Sequence, residues 1–243
     1  MTDASDSNQR AGWEHLFQGG VFPPRFKTSA APNDSVVEWA DTLPAGGSIL
    51  DVGCGVGRHV VYLGGRGFKM SGMDISPTGI KTTGEACAER QIEFDGRVSD
   101  MLALPWAAGT FDAVVSTSTV SHHLLADIRR TIGEIRRVLK PGGLFLVDFV
   151  HKGGTASYQR CLDQVVAGEL VEVEPNTFVD QRDEIDRLDD AFLPHHFCDE
   201  AEVYDLMHSF EIIKIWTDFL AADTPGELPK RGYWVASVRK PLG

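Results

Sequence analysis

An α/β fold, with helices on both faces of a mostly parallel sheet, is what this 243-residue sequence predicts. Three observations carry it. From residue 48 onward, short apolar runs alternate with helical stretches. Each run is nearly continuous in apolar residues, as strands buried on both faces require. A glycine-rich turn follows the first run directly.

Taken in order, residues 1–10 are polar, lack aromatics and read as disordered. Trp13, Phe17, Phe22 and Phe26 surround Gly19-Gly20 and Pro23-Pro24, which suggests a short helix and then an irregular segment across an apolar surface. A helix opens near Ser35, with Asn33 or Asp34 as its cap, and ends before Pro44 and Gly46-Gly47. SILDV (48–52) is the first strand, and a helix from Arg58 to Leu63 closes at Gly64-Gly65. FKMSGMD (68–74) is the next strand, followed by a helix from Pro77 to Arg90 that Ser76 can cap. IEFDGRVSD and FDAVVS (111–116) continue the sheet. A helix over 126–139 stops at Pro141-Gly142-Gly143, before the fifth strand, LFLVDFV (144–150).

The alternation breaks after residue 150. Residues 151–200 are weakly periodic and acidic in DQRDEIDRLDD, and Glu172–Phe178 reads as an edge strand across a pocket mouth. A helix near 199–208 precedes two runs, 211–219 and 232–240, that pair as an antiparallel hairpin. The expectation is one domain: an N-terminal segment and first helix (1–47), a ligand-binding core (48–150), a substrate lid inserted after the fifth strand (151–200), and a final helix and strand pair (201–243).

A formal net charge of -12 and the lack of a basic run argue against polymeric nucleic acid, whose phosphates need a cationic face. Four scattered cysteines suit free thiols in the cytoplasm, and no apolar run suggests a signal peptide or a membrane span. A soluble cytoplasmic monomer or homodimer is expected.

The chemistry begins at Asp51-Val-Gly53-Cys54-Gly55-Val-Gly57. A glycine turn between a strand and a helix lets a ligand approach the backbone and meet the helix N-terminus. The dinucleotide spacing G-x-G-x-x-G fails, because Arg58 stands where its third glycine belongs. Asp51 instead suits a ligand carrying an ammonium group. Asp74, ending the second strand, can accept ribose hydroxyls, and Asp100, after the third, can accept from an adenine amino group. Acids at successive strand ends make a cradle for a positively charged nucleoside.

The ordered set LDVGCGVGRH, GMDIS, VSDMLALPW, FDAVVSTSTVSHHL and RRVLKPGGLFLVDF resembles class I S-adenosylmethionine-dependent methyltransferases over residues 48–150. The resemblance implies a Rossmann-like three-layer sandwich, whose seven-stranded sheet has an antiparallel last strand. It implies that Asp51, Gly53, Cys54 and Gly55 line the methionine part of S-adenosylmethionine. Asp74 would hold the ribose, Ile75 would pack on the adenine with Asp100 and Met101 flanking it, and Ser116 would lie beneath the methionine. Arg25 or Trp13 would reach the cofactor from the N-terminal segment.

The loop Ser121-His122-His123 would face the methyl group, making His122 and His123 candidates for a base near neutral pH. Glu-Pro-Asn-Thr-Phe178 and Pro-His195-His196-Phe resemble, more loosely, bacterial small-molecule methyltransferases related to the tellurite-resistance and thiol-methylating groups. Phe178, Tyr158, Arg160, His195, His196 and Trp234 are the candidate acceptor-site residues. No metal is expected, because adjacent histidines do not match the separated pairs of zinc sites. The expected activity is methyl transfer to N, O or S of a small molecule. The alternatives are a non-catalytic protein that senses S-adenosylmethionine and, less favoured, a dinucleotide-dependent oxidoreductase.

Overall fold

The computed structural model describes residues 3–19, 27–180, 193–222, 224 and 226–243, with side chains from Arg10 onward. Five parallel strands form its centre: β1 (Ser48–Val52), β2 (Lys69–Asp74), β3 (Phe94–Val98), β4 (Phe111–Ser116) and β5 (Leu139–His151). They lie in the order β3-β2-β1-β4-β5. β9 (Glu211–Leu220) and β10 (Arg231–Arg239) complete the main sheet. β10 runs antiparallel to both β5 and β9, with Tyr233 opposite Val150 and Arg239 opposite Leu144. The seven expected strands and the terminal hairpin are present, and three strands of the later insertion bring the sheet to ten.

Alternation along the strands sends side chains to two cores. Leu50, Val52, Val114, Phe145, Val147 and Phe149 pack with α5 (Leu125–Val138) and α7 (Glu200–Leu206). Ile49, Ala113, Val115 and Leu146 pack with α2 (Asp34–Ala40) and α3 (Arg58–Gly65). α5 shows why: Ile128, Ile132, Ile135 and Val138 recur at helical spacing and are all buried, while Arg136 and Arg137 occupy its last turn. α4 (Pro77–Ala88) starts as expected, with the Ser76 hydroxyl accepting from the Gly79 amide and Pro77 in the first turn.

Three expectations need correction. Residues 3–10 are not disordered but belong to α1 (Asp3–Gly19), whose N-terminal sequence carries little apolar signal. Pro141-Gly142-Gly143 does not precede β5 but lies within it. Gly142 has φ +77°, and the pairing with β4 shifts between Phe111 and Ala113, so a bulge absorbs the proline that an unbroken ladder would reject. Glu172–Phe178 is not one edge strand but a hairpin, β6 (Leu170–Glu174) and β7 (Thr177–Asp180), turning at Asn176 with φ +62°.

The hairpin follows α6 (Ala156–Val166) and pairs antiparallel with β8 (His195–Cys198). β8 in turn joins the tip of β5 in parallel, Val150 opposite Phe197 and His151 opposite Cys198. The insertion therefore rises as a small second sheet from the carboxyl edge of the main one.

Candidate functional site

The site is built around the turn after β1. The amides of Gly53 and Cys54 both donate to the Met73 carbonyl at 2.9 Å, tying the turn to the end of β2. Gly53 has φ +75°, and a Cβ there would lie 2.2 Å from Cγ2 of Thr119, so both its conformation and its space demand glycine. Thr119 belongs to the loop after β4, and the two ligand-facing loops are thus interlocked.

Two carboxylates sit beneath this turn. Asp74 accepts from the Gly55 amide with one oxygen and from the Ser76 amide with the other, both at 2.9 Å. Burial pushes its pKa up to about 6, with the amides of Ser76, Gly55 and Ile75 opposing the rise. Burial raises Asp51 to about 7, against the pull of the Arg58 guanidinium and with Asp74 adding to the rise. Carboxylates held so far above their usual range mark a place where positive charge or hydroxyl donors would be favoured. The glycine cradle and this charge deficit fit a cationic nucleoside.

α1 closes over the same edge. The Glu14 carboxylate accepts from the hydroxyls of Ser76 and Thr78 and from the Thr78 amide, anchoring α1 at the N-terminus of α4. Burial alone would raise Glu14, but these hydrogen bonds outweigh it and bring its pKa down to about 2. Phe17 reaches the glycine turn, its ring 3.4 Å from where a Cβ of Gly55 would stand. Trp13 packs edge-on against His122, centroids 5.2 Å apart, and His195 meets the same imidazole at 4.7 Å. Three segments remote in sequence converge on His122. His123 is equally buried beside it.

The remaining candidates divide. Ile75, Asp100 and Met101 stand at the tips of β2 and β3, partly exposed, with Asp100 accepting from the Leu102 amide at 2.8 Å. Arg25 lies outside the described residues. Cys54 offers only backbone to a ligand, for its thiol faces inward, within 3.0 Å of where a Cβ of Gly72 would be. Ser116 is fully buried and its hydroxyl donates to the Val52 carbonyl at 2.9 Å, so it fastens β4 to β1 rather than facing a ligand.

In the insertion, Phe178 is buried in an aromatic cluster with Tyr158 and Phe197, and the Tyr158 hydroxyl donates to Asn176. Both hold the hairpin on α6 and are not pocket walls, because they pack into the core that α2, α3 and one face of the main sheet also line. Arg160 is exposed on α6. Trp234 stacks on His151 at 4.7 Å and donates to the Cys198 carbonyl. His196 is fully buried among Thr177 and Glu202, facing away from His122.

Two functional groups escaped the sequence reading. A cavity lined by Asn33, Ser35, Arg58, Ser118, Asp148 and Asp218 opens at the carboxyl ends of β4 and β5. Asp148 accepts from the Ser118 amide at 2.6 Å, and burial raises it to about 7. Its signal was a lone acid inside the apolar run LFLVDFV. His59 accepts from the Asn33 amide and meets the Thr117 hydroxyl, and burial lowers its pKa to about 3, so it is neutral.

The methyltransferase-domain family profile matches residues 50–147, the stretch that supplies the glycine turn, both buried carboxylates and the loop after β4. An uncharacterized methyltransferase of Synechocystis is 30% identical over 149 residues, covering 57% of this chain and 67% of that protein. The chain belongs to the class I S-adenosylmethionine-dependent methyltransferases. The tRNA (carboxymethyluridine(34)-5-O)-methyltransferase ALKBH8 of mouse is 35% identical over 122 residues, 49% of this chain, but the match spans only 17% of that protein. A methyltransferase structure from Methanosarcina mazei shares the fold, with a TM-score of 0.69 at 23% identity over 85% of this chain and 98% of that one. S-adenosylmethionine, the cofactor of this methyltransferase family, is the nucleoside that the cradle fits.

Proposed function

We propose that this methyltransferase acts on N, O or S of a small-molecule acceptor held between the glycine-turn edge and the insertion, with His122 as proton acceptor. The observation that carries the reading is the meeting of Trp13, His122 and His195, which encloses the carboxyl edge from three sides. When bound, the cofactor supplies an electrophilic methyl on a sulfonium leaving group, so alignment and exclusion of water are the protein's main tasks. In this reading α1 and the insertion exclude water and His122 takes a proton from acceptors that carry one when bound. The backbone of Gly53, Cys54 and Gly55, with Asp51, orients the methionine end. Asp74, Ile75, Asp100 and Met101 receive the ribose and adenine, and Trp13 closes over them.

A small acceptor is favoured over RNA, despite the relative that acts on tRNA, by a net charge of -12 that repels a phosphate backbone. No helix among the described residues is long and apolar enough to cross a membrane, and all four cysteines are free. We place the protein in the cytoplasm on that basis.

The test is labelled-methyl transfer to a panel of thiols, amines, phenols and carboxylates, with transfer RNA as a separate arm. His122→Asn should lower turnover about 10²-fold or more while cofactor affinity holds, as loss of a general base does. Full turnover by that variant removes His122 from the reaction, and label on RNA alone overturns the acceptor class.

A further inference from the structure

We propose that His196, Cys198 and Glu202 form a binding site for a transition-metal ion of the zinc type, outside the methyl-transfer cleft. Their candidate ligand atoms, an imidazole nitrogen, a thiol sulfur and a carboxylate oxygen, all lie within 4.8 Å of one another. His196 and Cys198 share one face of β8, and Glu202 stands in the first turn of α7. Both β8 residues are fully buried, and only Glu202 keeps a partly exposed side chain.

The surrounding hydrogen bonds fix the tautomer. Glu174 Oε1 accepts from the Thr177 hydroxyl at 3.0 Å and from the Leu125 amide at 2.6 Å. Thr177 has only one proton, and it goes to Glu174, so its oxygen must accept from His196 Nδ1, 2.6 Å away. In a neutral imidazole this leaves the lone pair of Nε2 aimed at Glu202 Oε2 across 3.1 Å. A second imidazole proton turns this contact into an ion pair, and a metal cation held by both groups replaces that proton. A metal-bound histidine usually donates its second imidazole N–H to an oxygen acceptor, and Thr177, itself held by Glu174, stands in that place here.

The donor set selects the metal. Thiolate and imidazole suit zinc or cobalt, whereas calcium and magnesium take oxygen ligands. Metal bonds of about 2.0–2.3 Å put tetrahedral ligand atoms roughly 3.3–3.7 Å apart, so the widest pair must close by about 1 Å. Glu202, at the open side, can make that movement. The thiol loses its proton to solvent as the metal–sulfur bond forms, nothing is oxidised, and water takes the fourth position. The spacing rule failed on the His195-His196 pair because the ligands are alternate residues of a strand and a carboxylate from the next helix.

The full-length protein, stripped with a chelator, is titrated with zinc by calorimetry and with cobalt by absorption. One ion per chain and a thiolate-to-cobalt charge-transfer band are expected. Cys198→Ser should abolish the band, and Glu202→Gln should weaken zinc binding at least about tenfold. Cys161→Ser should change neither. Because Cys198 is buried, unfolding curves accompany each titration, and Glu202→Gln, at a partly exposed position, carries the test if Cys198→Ser does not fold. Failure of the stripped protein to bind a stoichiometric ion overturns the site. So does binding untouched by both ligand variants, or His196 ring resonances that saturating zinc leaves unmoved.

Discussion

Residues 48–150 fix Asp51, Gly53 and Asp74 at neighbouring strand ends through the backbone, whereas residues 151–200 assemble their polar groups across strands and helices. In the first region, Gly53, Asp51 and Asp74 are positioned by the backbone that carries them, and Asp74 is fixed by the backbone amides of Gly55 and Ser76. In the second, side chains hold side chains: Thr177 meets His196, and Tyr158 reaches Asn176. A site made of local turns depends on backbone conformation; one made of cross-strand contacts depends on packing and register.

That difference can be broken experimentally. Phe178→Ala should have the largest effect, costing about 3–5 kcal/mol by denaturant unfolding, because it empties the aromatic cluster that joins the insertion to the main core. Turnover should fall while cofactor affinity holds; loss of cofactor binding would show that the two regions are one unit. Gly53→Ala should cost about 2–4 kcal/mol, from a left-handed backbone and the collision with Thr119. Adding Thr119→Gly should recover the collision share alone, and full recovery would mean that the φ of +75° carries no strain.

A third test uses pH. Asp51 and Asp74 rise from the usual 3.8 to about 7 and about 6. They hold protons more tightly folded than unfolded, so their stabilisation is complete below about pH 4 and is lost as pH climbs through 6 and 7. A cationic ligand reverses the balance. Binding of S-adenosylmethionine should tighten about tenfold between pH 5.5 and 8 by calorimetry, a change that a flat profile would exclude. The smallest effect belongs to Gly133→Ala, an exposed mid-helix position in α5 where a Cβ meets nothing. It should gain about 0.5–1 kcal/mol, marking how little glycine matters away from the turn.

The same contrast explains what could be read from the sequence. The parallel strands, the glycine turn and Asp74 were legible because periodicity and spacing over a few residues determine them. The partner of Ser116 was not legible, because its hydroxyl meets Val52 in a neighbouring strand, 64 residues back, which only the pairing register reveals. Phe178 reads as a pocket residue until α6 covers it. A short helix near Trp13 was expected, but its extension back to Asp3 was not, for its anchor, Glu14, bonds to Ser76 and Thr78, more than 60 residues away. Glu202 lies in the next element, where no ligand spacing pointed.

β8 is four residues long, and its two faces have nothing in common: His195 and Phe197 look one way, His196 and Cys198 the other. Strand geometry leaves no intermediate setting, because displacement by a single position inverts the whole strand. Displacement of β8 by one position in one direction would point the His195 imidazole toward Glu202, and in the other would drive Cys198 into the place of Phe197. This short segment should tolerate substitution far better than any change in its length.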